Sequence, residues 1–327
     1  MTLRSILKPG WAPFGVVVSV LMGLWGVPFS VHARNLDVRI DSLRASATDT
    51  TRKMRDRVRS LKRAIRMDGT GVSHFELAQL YLSQGDPDAK MDAEFWLKAA
   101  IAHDRKNSEF RAAYAKLLWQ LNDIELANVQ AKKALEIDPN QTCALYYAGR
   151  YAAWGMDRNY RTISMGYSKA VEIPFDLQSF GEERLAQAVD HLTRALNVDP
   201  GHEQARQLLG LVYHEAGEHD AMIALFKERL GTVQDADSHF FVGLGYQGKG
   251  YLKAAYRYYL KGFDLLAEDE QNFIRSAVLA GDNADAQALD GFWTERDPLF
   301  LSPLNERLME HCGRVAYANL RYSDPYE

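Results

Sequence analysis

The residues of this chain best placed to hold a metal lie in one string, His214-Glu215-Ala216-Gly217-Glu218-His219. A helical zinc pair needs its two histidines four residues apart, so that both rings leave one face. Here His219 follows His214 by five, and Gly217 interrupts the helix they would share. Cys143 and Cys312 have no nearby cysteine and no histidine at ligand spacing. They could form one disulfide in an oxidising compartment, while the plainer reading is two buried or half-buried thiols. No glycine loop of the phosphate-cradling kind follows a strand, and no serine or cysteine nucleophile motif occurs. The expectation is a chain without catalytic residues, metal or cofactor, and not an enzyme.

What the spacing offers instead is recognition. Small residues recur at Ala78, Ala115, Gly149, Gly210 and Gly243, and a second set recurs at Ala93, Ala127, Ala188, Met222 and Ala255. The first set is separated by 37, 34, 61 and 33 residues and the second by 34, 61, 34 and 33, the long step falling one place earlier in the second set. Two registers with one period describe helical hairpins, in which small side chains let paired helices approach and Tyr81, Tyr213 and Tyr246 fill the wedge beside them. Gly85, Asn122, Gly217 and Gly250 fall where the chain must reverse. Pro139 and Pro200 end one hairpin and start the next. A hairpin cannot bury its apolar faces alone, so the hairpins must stack. The composition agrees: 47% of 327 residues are hydrophobic, only ten are proline, and Ala, Leu and the long charged residues dominate.

This pattern, over residues 71–269, resembles the tetratricopeptide repeat family. The resemblance implies an all-α, right-handed solenoid of about five hairpins with capping helices at both ends, and a concave groove lined by first helices. The departures are Leu118 in an aromatic slot, Met222 and Arg229 in small slots, and Arg105 and Ala267 where a closing proline is usual. If first helices line the groove, it holds Phe75, Gln79, Lys116, Trp119, Gln120, Tyr146, Arg150, Trp154, Gln207, His214, Phe240 and Gln247. Such an aromatic surface with amide and basic accents suits an extended or proline-rich peptide. The same aromatics could simply pack between repeats. The insertion at 155–184 separates the two helices of one hairpin; a helix near Asn159–Glu172 followed by a loop, or a lid over the groove, is expected there.

The flanks differ in kind. Arg4 and Lys8 precede an uncharged run, Trp11–Val31, and Ala33 offers a small residue for cleavage, so residues 1–33 read as a signal peptide or an uncleaved signal anchor. Residues 34–70 form a basic amphipathic segment read as one helix, with Met54, Val58, Leu61 and Ile65 on one stripe. That stripe is a packing face or, on the alternative reading, a membrane-surface contact. Residues 34–66 carry +7 and the first 33 carry +2, which leaves −13 for residues 67–327 of the total −4. An acidic body repels phosphate backbones, so nucleic acid is excluded as its partner.

After a capping helix and linker at 270–291, residues 292–327 change character. Phe292-Trp293, Arg296-Asp297-Pro298 and Tyr317-Ala318-Asn319 resemble the opening of the bacterial GWxTD domain, although its Gly-Trp-x-Thr-Asp string is absent. Leu304, Leu308, Cys312 and Val315 form an apolar stripe suited to packing on the last repeat. The sequence thus points to an exported scaffold or adaptor for a protein or peptide, with possible membrane association through its leader. The alternatives are an accessory part of a larger protein whose activity lies beyond residue 327, and a glycan-binding groove.

Overall fold

The computed structural model describes residues 29–153, 162–165, 169–172, 177–267 and 306–322. Thirteen α-helices and one two-stranded hairpin lie within them. The chain divides into two compact units, residues 1–110 and 111–327.

In the first unit, α1 (Phe29–Thr48), α2 (Met54–Ile65), α3 (Val72–Leu82) and α4 (Pro87–His103) each pack on the next. The single helix expected over 34–67 is broken at 49–53. Asp49 causes the break: its carboxylate accepts from the amide and the hydroxyl of Thr51, at 3.0 and 2.6 Å, an arrangement that competes with the helical ladder. Downstream, Met54, Val58, Leu61 and Ile65 turn inward together onto Leu77, Leu80, Tyr81 and Trp96. The apolar stripe of this basic segment therefore serves as a packing face. Phe110 closes the unit, its ring 4.9 Å from that of Phe75.

The second unit continues the period. Helix α5 (Ser108–Gln120) begins at its edge, and α6 (Ile124–Ile137), α7 (Thr142–Ala153), α8 (Leu177–Val198), α9 (Glu203–Glu215), α10 (His219–Leu230), α11 (Ala236–Gly248) and α12 (Leu252–Leu265) follow. From α6 onward each helix packs on its successor. Between α7 and α8 the insertion forms β1 (Thr162–Met165) and β2 (Lys169–Glu172), antiparallel with Ile163 opposite Val171. The helix expected there is thus a strand pair, in keeping with the β-branched Thr162, Ile163 and Val171. Helix α13 (Glu306–Tyr322) then packs on α9, α11 and α12.

The small-residue lattice works by close approach. A Cβ on Gly210 would stand 2.5 Å from the Phe226 ring, one on Gly243 would stand 2.5 Å from Tyr259, and one on Gly149 would stand 2.8 Å from Leu192. Each partner lies four residues beyond a second-helix small position, because helical side chains lean back toward the N-terminus. Ala93, Ala127, Ala188, Met222 and Ala255 are themselves fully buried.

Both kinds of turn repeat. Asn122, Gly217 and Gly250 have φ of 62°, 74° and 75°. Beyond each, the next amide reaches back to the carbonyl of Leu118, Tyr213 or Tyr246, the bond that closes a left-handed helix end. At the ends of second helices, Asp104, Asp138 and Asp199 each accept from the amide two residues on, at 3.0 Å. This side-chain turn also explains why Arg105 can replace a proline: the aspartate before it bends the chain. Asn122 is the only non-glycine with positive φ among the described residues. Asn122→Val should therefore cost about 1–2 kcal/mol in chemical denaturation, whereas Asn122→Gly should be close to neutral.

Candidate partner-binding site

Local packing sorts the expected groove residues into three kinds. Phe75, Tyr146 and Phe240 are 5%, 4% and 2% exposed and belong to the interior. Tyr146 stacks near Tyr147 and His202, at 5.0 and 5.1 Å, and Phe240 lies 6.4 Å from Tyr259. Their aromatic character serves contact between repeats.

A second group remains accessible. Gln79 is exposed at the mouth of a cavity of about 190 Å³, shared with Arg44, Arg57, Glu76, Leu80 and Ser83. Arg44 and Glu76 form a close pair there, with Nη2 2.6 Å from Oε1. In the second unit, Lys116, Trp119 and Gln120 are half-buried along α5. Arg150 of α7, itself only 9% exposed, places its guanidinium 4.6 Å from the Trp119 ring centre, and the Tyr147 ring lies 5.9 Å from that of Trp119. Spacing explains the cluster: Lys116, Trp119 and Gln120 share one face of α5, and the next first helix presents Arg150 across it. Nearby, the His202 ring lies 5.1 Å from that of Tyr146 and its Nδ1 accepts from Ala205 N–H at 3.1 Å; burial lowers its pKa. Trp154 lies outside the described residues.

A third group is covered by α13. His214 sits 5.4 Å from the Tyr317 ring, and the Gln247 side-chain oxygen would be 2.5 Å from a Cβ on Gly313. Gln247 also accepts from the Tyr259 hydroxyl at 2.5 Å. Gln207 is half-buried on the same α9. The metal-like string is absorbed here: Glu215 accepts from Tyr317 at 2.8 Å and from Arg321 at 3.4 Å, while the rings of His214 and His219 stand 5.8 Å apart. No group of three metal-ligating side chains forms among the described residues.

Helix α13 packs on the last hairpin, as its apolar stripe led one to expect, and reaches beyond it to α9. Its inward stripe is Met309, Cys312, Gly313, Ala316 and Leu320, and Val315 sits at the edge. The small pair Gly313 and Ala316 was the available signal. Leu304 and Phe292–Pro298 lie outside the described residues. Both cysteines are free thiols, and burial pushes Cys143 up to about 11 and Cys312 up to about 12.

A family model for the tetratricopeptide repeat matches residues 108–141, the α5–α6 hairpin. The fold is that of tetratricopeptide-repeat proteins. Three solved structures share it. PilF of Pseudomonas aeruginosa is 15% identical, with a TM-score of 0.51, covering 74% of this chain and 99% of its own. PilW, a type IV pilus biogenesis factor, is 19% identical with a TM-score of 0.51, covering 72% and 98%. A tetratricopeptide repeat protein from Parabacteroides merdae is 15% identical with a TM-score of 0.50, covering 85% and 98%. No curated protein matches the sequence. No helix among the described residues is long and apolar enough to cross a membrane.

Proposed function

We propose that this chain is an extracytoplasmic scaffold that binds a protein or peptide through its first-helix face and performs no chemistry of its own. The observation that carries this reading is the half-buried cluster of Lys116, Trp119 and Gln120 beneath Arg150. A flat indole held by a cation, with an amide and an ammonium beside it, offers stacking area and hydrogen bonds to a peptide backbone. The repeat architecture supports a protein partner, and PilW gives precedent for this fold in a type IV pilus biogenesis factor. Export rests on the charged, then apolar, then small-residue order of the leader. The GWxTD-like reading of 292–327 belongs to this proposal as a second, C-terminal module.

The test is partner capture from envelope extracts with the wild-type chain and with a Trp119→Ala, Trp154→Ala double variant. The expected result is a loss of the captured partner by tenfold or more, with the helical signal in circular dichroism unchanged. Capture of the same partner at equal yield by both chains would remove the groove from consideration, and selective retention on polysaccharide would favour a glycan ligand.

A further inference from the structure

The most specific contact in the second unit is one the chain makes with itself. Helix α13 lies on the first helices of the last two hairpins, with Met309, Cys312, Ala316 and Leu320 all at most 6% exposed. Gly313 meets Gln247, and Leu320 comes within 3.4 Å of a Cβ placed on Gly210. Its edges are tied by polar contacts that water can reach: Tyr317 and Arg321 to Glu215, and Asn319 to Asp237 at 3.2 Å. Solvent-exposed polar ties of this kind contribute little, so they set register more than affinity. The fit is also incomplete: His214 lies 5.4 Å from the Tyr317 ring, and its Nδ1 is buried with no hydrogen bond among the described residues. An occupant that supplied a partner to that nitrogen would fit this face better than α13 does.

We propose that the α9–α11 face is a helix-binding site, that α13 is its intramolecular occupant, and that a partner displaces α13 with an amphipathic helix of the same design. The design is legible from α13: small residues where Gly313 and Ala316 stand, a bulky apolar residue at the place of Leu320, and an aromatic and a basic side chain toward the acidic rim of Glu215 and Asp237. This rests on the reading of first helices as the binding face, and it narrows the ligand class to a helix at the C-terminal hairpins.

The experiment uses the full chain and a labelled synthetic peptide of residues 306–322, followed by fluorescence anisotropy. Ala316 is fully buried, so Ala316→Arg should expel α13. The expected result is peptide binding at least tenfold tighter to Ala316→Arg than to the wild type, abolished by a further Gln247→Arg in the site. Thiol labelling supplies an independent readout: Cys312 should react slowly in the wild type and fast in Ala316→Arg, while the half-buried Cys143 reacts at the same rate in both. Fast Cys312 labelling without gain of peptide binding overturns the proposal. Should Ala316→Arg speed Cys143 labelling as well, the milder Leu320→Ala variant, which removes a buried apolar contact of α13 with α9, decides. A rise in both Cys312 labelling and peptide affinity supports displacement, and no change in either overturns it. Trp119→Ala should leave the affinity for this peptide unchanged. A chain that binds the peptide but loses no partner through Trp119 would sink the α5–α7 assignment and leave this one standing.

Discussion

Phe226→Ala is expected to destabilise the second unit by about 3–5 kcal/mol, because it empties a fully packed site between two helices. Phe226 is 1% exposed, its ring lies 4.8 Å from Phe241, and it covers the bare backbone of Gly210. The reciprocal change tests the same joint from the other side. Gly210→Ala gains roughly 1 kcal/mol of helix propensity. It also drives a methyl to 2.5 Å from the Phe226 ring, an overlap that forces the helices apart at about 1–3 kcal/mol. Combining Gly210→Ala with Phe226→Leu returns the space, so the double variant should be more stable than the sum of the singles by about 1–2 kcal/mol. Urea denaturation followed by circular dichroism reads Phe226→Ala, the two single variants and the double. Simple additivity would mean that the two helices do not depend on this contact.

The hairpin lattice was legible because close approach leaves few choices of residue. Only glycine fits Gly243 under Tyr259, and a reversing chain wants glycine or asparagine at Asn122, Gly217 and Gly250. These demands recur with the repeat, so one sequence states them several times. The binding face was less legible. A first-helix residue three before a small position can face a groove or the neighbouring repeat, and helical spacing does not separate the two; Phe75, Tyr146 and Phe240 took the second course. The stripe of α13 pointed to the last repeat, but its reach onto α9 was beyond local reasoning, since Tyr317 and Glu215 meet across 102 residues of sequence. The break at Asp49 follows from a side-chain turn that competes with a helix of otherwise favourable pattern.

Acid should unfold the chain in two stages, and the sign of each follows from burial. His74, His191, His202, His214 and His311 all have pKa values lowered chiefly by burial. The folded state therefore binds fewer protons than the unfolded chain; stability is full above the ordinary histidine pKa of about 6.5 and declines as pH falls below it. Asp68 governs the second stage. Burial pushes its carboxyl up, but hydrogen bonds from Thr70 and Ser73 outweigh that effect and hold it at about 2. It accepts from the Thr70 amide, the Thr70 hydroxyl and the Ser73 amide at 2.8, 2.6 and 2.7 Å, and so anchors the start of α3. Its contribution is present above the unfolded value of about 4 and disappears as pH falls toward 2. Asp68→Ala should cost about 2 kcal/mol at neutral pH by leaving those donors unpaired. It should also flatten the stability profile between pH 4 and pH 2, while the histidine stage between pH 7 and pH 5 persists. Urea midpoints across that pH range measure both. An Asp68→Ala profile parallel to the wild type down to pH 2 would show that the anchor at α3 does not titrate with folding.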